Sequence, residues 1–284
     1  MKRLLILILF ATSAFAQLTA PEIDPNGPGG TGGNLSSQPL LVDHNGPRMP
    51  NAKVVYIFWG THPPGYASEL QAFRNEEGGM YSHMGMLQQY GAAQGSLRSA
   101  QPDIFDPAEP PVFTDDSSSQ AEVAKWFAGN YDANTIYVLI IPNGHLVSGR
   151  VLSACGAQTV TMCAYHQSFH DDGSNIDVKY VVIPFAFCQD CKVNAAGIAA
   201  TDVQNAEVYT IHEVREAMTD PVYLKTWYDE DNEEADDKCA FGRDPSNVFS
   251  KHTIPGPNDT PYYHPSRFFF FQKEWSNAAR GCVE

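Results

Sequence analysis

Residues 54–59 read VVYIFW, an apolar run that ends at Gly60. A continuous run of this kind, rich in β-branched and aromatic residues, is typical of a strand that is buried on both faces. Two later stretches have the same character, TIYVLII at 135–141 and KYVVIPF at 179–185. The segments between these runs favour helices, at 68–74, 80–90 and 118–127. This alternation predicts a single α/β domain with a layered, mixed and partly parallel sheet.

The first sixteen residues have the pattern of a secretory signal peptide. Lys2 and Arg3 precede a short apolar core, and Ala14-Phe15-Ala16 is an A-x-A cleavage site, so the mature chain is expected to begin at Gln17. The alternative is a membrane anchor, but the core is shorter than the roughly 20 apolar residues that span a bilayer. We therefore expect a secreted protein, extracellular or periplasmic, without a membrane partner.

Composition divides the rest of the chain into a linker and one domain. Residues 17–51 include the stretch PNGPGGTGGN, whose glycines and prolines predict a flexible linker. Residues 52–284 are long enough and aromatic enough for a substantial core. The formal net charge of -15 argues against a nucleic-acid partner, because binding to phosphates requires a basic surface.

The even number of cysteines indicates disulfides in an exported chain. Proximity in sequence favours the pairs 155–163, 188–191 and 239–282, while a redox or zinc role for Cys188-Gln189-Asp190-Cys191 is the alternative. The six residues concerned are Cys155, Cys163, Cys188, Cys191, Cys239 and Cys282.

Residues 202–219 give the strongest helix prediction, with Thr201 or Asp202 as N-cap and Pro221 beyond the end. This helix carries His212-Glu213-Val214-Arg215-Glu216. His212 and Glu216 are four positions apart, so both side chains leave one face, as two ligands of one metal ion require. Glu213 is displaced around the helix, where it can act as a base on a water molecule at the metal. This is the arrangement of H-E-x-x-H peptidases, with glutamate replacing the second histidine, so we expect a zincin-like metal-binding helix in the domain.

The third ligand is suggested by a resemblance to the gluzincin peptidases. In that family a glutamate about this far downstream completes the zinc shell, and an aspartate one turn later orients a histidine ligand. Glu234 lies 18 positions after Glu216. The resemblance implies Glu234 as the third ligand and Asp237 as a residue behind the ligands or an alternative ligand. The other interpretation is an acidic surface loop, since 229–237 reads DEDNEEADD.

The expected cofactor is a divalent metal, with zinc first because it accepts histidine and carboxylate ligands. One histidine and two carboxylates neutralise a divalent ion, so such a site is a weaker Lewis acid and can prefer harder metals. A chance H-E-x-x-E on a solvated helix is the alternative. His166 and His170, also four apart, read as structural loop residues, and Tyr262, Tyr263 and His264 as optional hydrogen-bond donors.

The order of motifs resembles the exordium family, also called phosphate-induced proteins. The matching stretches are VVYIFWG at 54–60, IYVLIIPNGHLV at 136–147, CAYHQSF at 163–169, YVVIPFAFCQDC at 180–191, HEVREAMTDP at 212–221 and QKEWSN at 272–277. The last stretches are similar to bacterial members. The plant members are extracellular proteins linked to growth signalling and generally lack the H-E-x-x-E sequence.

Two functions are consistent with these patterns. The first is a secreted metallopeptidase acting on peptides or proteins, in which His212, Glu216 and Glu234 hold the metal and Glu213 is the general base. The second is a non-catalytic extracellular binding or signalling protein of exordium type, with a structural metal or none. An open coordination position facing a cleft would favour the enzyme, and a closed site the binding protein.

Overall fold

The computed structural model describes residues 38–76, 78–92, 95–148, 162–186, 191–195, 198–239, 249–253 and 268–283. The predicted signal peptide, most of the predicted linker, Cys155, Cys188 and residues 262–264 lie outside these ranges. In the described part, no helix is long and apolar enough to cross a membrane.

The domain is a mixed α/β structure. Its strands, in chain order, are β1 Val42–Asp43, β2 Lys53–Trp59, β3 Ile104–Asp106, β4 Phe113–Thr114, β5 Thr135–Ile140, β6 Leu146–Val147, β7 Tyr165–Asp171, β8 Ile176–Ile183, β9 Asn194–Ala195, β10 Ile198–Ala199, β11 Trp227–Tyr228, β12 Phe249–Thr253, β13 Phe268–Gln272, β14 Glu274–Ser276 and β15 Gly281–Val283. The helices are α1 Tyr66–Asn75, α2 Asp116–Phe127 and α3 Asp202–Thr219, and 3-10 helices cover Met80–His83, Gly85–Tyr90 and Asp237–Cys239.

The central sheet has five strands in the order β3-β2-β5-β8-β7. The first four are parallel, and β7 runs antiparallel to β8. Side chains alternate between two cores because successive strand residues point to opposite faces. Val54 and Val138 belong to the core beneath α1 and α3, whereas Val55 and Leu139 belong to the core beneath α2. The predicted mixed, partly parallel sheet is therefore confirmed.

The strands of the central sheet are predicted well from the apolar runs. The structure of the segments between those runs is predicted less well. The predicted helix at 80–90 is wrong as an α-helix, because two 3-10 helices occupy it. Gly79 precedes the first, and Gly85 is the first residue of the second. The loop predicted around His166 and His170 is wrong, since β7 forms there as a partner of β8. The end of the predicted linker is part of the domain: Leu41 and Met49 are 3% and 2% exposed, and β1 pairs with β11.

Two disulfides fasten the described part of the chain. Cys239–Cys282 joins the segment after α3 to the C-terminal hairpin of β14 and β15, as predicted. Cys163 pairs with Cys191, so the predicted pairs 155–163 and 188–191 are wrong. The reason lies in the sheet, because β7 and β8 separate these cysteines by 28 positions in sequence yet bring their Cα atoms to 5.5 Å.

Reduction is expected to lower the melting temperature markedly. Each disulfide restricts the unfolded chain, and its removal from a secreted domain typically costs about 2–5 kcal/mol. Cys163–Cys191 anchors the start of β7, which carries His166. Thermal melts of the oxidised protein and of reduced, alkylated protein measure the effect. A melting temperature that is unchanged after complete thiol titration would contradict the structural role of both bonds.

Candidate metal centre

Helix α3 supplies three of the acidic and basic side chains of the site. It begins with a capping box, in which Thr201 and Gln204 each bond to the other's backbone N–H group. From Asn205 to Thr219 every residue is buried, because β13, β8 and α1 pack around the helix. A helix that is buried all round must pair its polar side chains inside the protein. The contacts of its charged residues are therefore informative.

Arg215, a charged residue on the buried face of α3, has acidic partners inside the protein. It forms a buried two-pronged ion pair with Asp236 and lies 3.5 Å from Glu274. It also donates to the backbone oxygen of Gln272 at 2.8 Å. This pairing ties α3 to the segment around Asp236 and to β13, and so fixes the elements that surround the site.

The orientation of His212 is set by Gln272. The amide nitrogen of Gln272 donates to the backbone oxygen of Asp236 at 2.7 Å, so its Oε1 faces the His212 ring. His212 Nδ1 lies 3.1 Å from that oxygen and must donate to it. His212 Nε2, which has no hydrogen-bond partner in the described part of the chain, then points at the neighbouring carboxylates. This is the arrangement that a metal-ligating histidine needs.

Glu216 is held by the backbone of the acidic segment, residues 229–237. Its Oε1 accepts from the N–H groups of Asp236 and Asp237, at 3.1 and 2.9 Å. Its Oε2 is left facing inwards, 3.3 Å from His212 Nε2. The acidic segment is therefore not a solvated loop. Asp236 is fully buried, and Asp229 forms a buried ion pair with Lys238.

Asp237 completes a first set of ligand atoms. Its Oδ1 lies 3.5 Å from His212 Nε2, and the ligand atoms of His212, Glu216 and Asp237 all lie within 4.8 Å of one another. Glu213 stands beside this set, with Oε1 at 4.0 Å from His212 Nε2. The side chains predicted on α3 thus meet at one point, together with the predicted alternative ligand.

His166 belongs to the same cluster, contrary to its interpretation as a structural loop residue. On β7 it pairs with Val181 of β8, whose side chain lies in the core beneath α3, so His166 points the same way. Its Nε2 is 3.1 Å from Glu234 Oε2 and 3.9 Å from Glu216 Oε2. Glu234 therefore approaches the centre beside His166 rather than beside His212. His170 lies near the exposed end of β7 and pairs with Asp177.

Charge coupling within the cluster is strong. Although burial opposes it, the Glu216 and Asp237 carboxylates raise the pKa of His212 well above its ordinary value. Burial and the charges of Glu216, Asp220 and Asp237 raise the pKa of Glu234 well above the range of a glutamate. Without a cation, protons must stabilise this cluster. A bound divalent ion would balance the same negative charges and displace those protons.

Tyr223 is a buried tyrosine near the cluster that sequence reasoning did not single out. It follows α3 and is 7% exposed. Burial and the charges of Glu234, Asp237, Glu216 and Asp220 raise the pKa of its hydroxyl far above the usual value. The hydroxyl therefore remains protonated and is available as a hydrogen-bond donor next to the cluster. Tyr262, Tyr263 and His264, the residues considered for this role from sequence, lie outside the described residues.

The donor set fits a divalent metal ion. Two imidazoles and several carboxylates are ligands that zinc accepts, and harder ions accept the oxygens. The spacings of 3.3 and 3.5 Å from His212 Nε2 match the edge of a tetrahedral shell, about 3.4 Å at bond lengths near 2.1 Å. The side chains are closely covered, with 1–3% exposure for His166, His212, Glu213, Glu216 and Glu234 and 9% for Asp237.

A separate cavity of about 510 Å³ opens at the carboxyl ends of β2 and β3, between Phe58, His62, Gln71 and Phe105. The residues that line it do not include the six residues of the cluster, which are His166, His212, Glu213, Glu216, Glu234 and Asp237.

Comparisons with protein-family models, with curated proteins and with solved structures find no match for this chain. The resemblance to the exordium family stays a prediction, and the function must be inferred from the geometry of the cluster.

Proposed function

We propose that this protein is a secreted metal-dependent peptidase whose divalent ion, zinc in the first instance, is held by His212, Glu216 and Asp237. One observation carries the proposal: His212 Nε2 is buried, has no hydrogen-bond partner among the described residues, and faces two carboxylate oxygens at 3.3 and 3.5 Å. A buried nitrogen lone pair opposite carboxylates is costly unless a proton or a cation lies between them. Two carboxylate oxygens at about the tetrahedral edge length from this nitrogen favour the cation.

The catalytic part of the proposal rests on Glu213 and Tyr223. When bound, the ion would polarise the scissile carbonyl group and acidify a water molecule. Glu213 accepts the proton of the attacking water. In the ion-free protein burial raises the pKa of Glu213 to about 8, and a nearby cation would lower it, so that the carboxylate is ionised near neutral pH. Tyr223 donates a hydrogen bond to the carbonyl oxygen as it gains negative charge.

A second candidate is a non-catalytic extracellular protein in which the ion is structural. The observation that favours it is the burial of the ligand set, at 3% exposure or less for all but Asp237. Structural sites are closed, whereas catalytic sites keep a position open to substrate.

The purified mature protein is expected to bind divalent metal and to cleave peptides. Elemental analysis after zinc loading measures the first, and a digest of a diverse peptide library, with and without a chelator, measures the second. Cleavage that the chelator abolishes supports the peptidase. Bound metal without cleavage of any peptide favours the structural role, and the absence of metal after zinc loading excludes both. His170→Ala, on the same strand as His166 but outside the cluster, is the control for metal content.

A further inference from the structure

The cluster contains two overlapping sets of ligand atoms rather than one. The first is His212, Glu216 and Asp237, and the second is His166, Glu213 and Glu216, each with its ligand atoms within 4.8 Å of one another. The two sets have only Glu216 in common. Its Oε2 lies 3.3 Å from His212 Nε2 and 3.9 Å from His166 Nε2. A carboxylate oxygen between two histidines is in the position of a bridging ligand.

Glu234 strengthens the second set. Its Oε2 and His166 Nε2 share a hydrogen bond of 3.1 Å in the ion-free protein. That distance is also close to the roughly 3 Å that separates adjacent ligands in an octahedral shell at bond lengths near 2.1 Å. Its other oxygen, Oε1, is buried and has no hydrogen-bond partner in the described part of the chain. Glu234 is 2% exposed, so water does not readily solvate that oxygen. His166 and Glu234 thus form a pair of donors that the ion at His212 does not use.

The charges of the cluster are also compatible with two divalent ions. Glu213, Glu216, Glu234 and Asp237 carry four negative charges when all are ionised. Within the described ranges none of them forms an ion pair with lysine or arginine, since Arg215 pairs with Asp236 and Glu274, and Lys238 pairs with Asp229 and Glu233. One divalent ion leaves two negative charges to be balanced by protons, whereas two divalent ions balance all four with both histidines neutral.

We propose that the centre binds two divalent ions that share Glu216. One ion is held by His212, Asp237 and Glu216, and the second by His166 and Glu216 together with Glu234, whose Oε2 lies 3.1 Å from His166 Nε2. Glu213, the remaining member of the second set, is assigned as the base and not as a ligand. Glu213 lies beside both ions, where a base can act on a water molecule between them. Two-metal sites of this type place the ions about 3.5–4 Å apart. The inference rests on the metal centre of the proposed function and adds the second ion to it.

The experiment is a count of tightly bound ions. Chelator-treated protein is loaded with zinc chloride, passed through gel filtration and analysed for zinc per chain. The wild type is expected to retain two ions more than Glu216→Gln, which loses the shared ligand. Glu234→Gln and Asp237→Asn each alter the ligands of one ion only. Each is expected to retain one ion more than Glu216→Gln. Taking the difference from Glu216→Gln removes any ions bound elsewhere on the acidic surface.

A second measurement does not depend on the variants. Loaded with Mn²⁺, the wild type is expected to give the electron paramagnetic resonance spectrum of a magnetically coupled pair. A spectrum of isolated ions, or a zinc difference of one between wild type and Glu216→Gln, overturns the second ion but leaves the proposed function standing. A difference of zero overturns both. Circular dichroism of each variant identifies misfolding, in which case the wild-type manganese spectrum decides.

Discussion

Replacing Glu213 by Gln is expected to keep the fold and the bound metal while lowering kcat by roughly 10²-fold or more, the usual contribution of a general base. Glutamine preserves the size of the side chain in a position that is 2% exposed, so packing on α3 changes little. It cannot accept the proton of the attacking water. Because Glu213 lies outside the first ligand set, its charge is not needed to hold the ion there.

The measurement pairs turnover with zinc content. A peptide that the wild type cleaves is assayed under saturating conditions, and zinc per chain is determined on the same samples. Glu230→Gln makes the same chemical change at an exposed position of the acidic segment and should match the wild type in both. If Glu213→Gln cleaves as fast as the wild type, Glu213 is not the base. If it loses metal along with activity, Glu213 is a ligand instead.

Elements whose signal is local are the ones that sequence alone predicts correctly. The N-cap at Thr201, the 18-residue length of α3 and the spacing of His212 and Glu216 are all properties of one continuous segment. The same holds for β2 and β5, whose apolar runs are buried in the sheet whatever their neighbours are. For these elements a local pattern and the tertiary structure require the same conformation, so the pattern is sufficient.

The rest of the site depends on pairing that a sequence does not display. Polar residues such as Gln167, Ser168 and His170 make β7 read as a loop, and only its antiparallel pairing with β8 directs His166 towards α3. Gln272 is the last residue of β13, and its contact with His212 depends on that strand packing against the helix. The resemblance to gluzincins implied Glu234 as a ligand without showing that its partner is His166.

Glu216→Gln is expected to weaken zinc binding by at least about 10²-fold, the upper end of the loss seen when a residue that merely supports a ligand is removed. The two carboxylate oxygens of Glu216 make different contacts. Oε1 accepts hydrogen bonds from the backbone N–H groups of Asp236 and Asp237, whereas Oε2 faces His212. Glutamine can keep its carbonyl oxygen on those N–H groups. Its NH₂ group then points at the centre, where a donor repels a cation.

Glu216→Ala provides the comparison that separates the effects of these two contacts. It removes both oxygens and leaves two backbone N–H groups of the buried segment without an acceptor, at a cost of about 1–3 kcal/mol each. Without zinc, the alanine variant should therefore melt well below the glutamine variant. Added zinc should raise the melting temperature of the wild type, because an ion that binds only the folded state stabilises it. It should leave the melting temperatures of both variants unchanged. A zinc-dependent rise in Glu216→Gln equal to that of the wild type would show that Glu216 only anchors the segment and that the ion is held elsewhere.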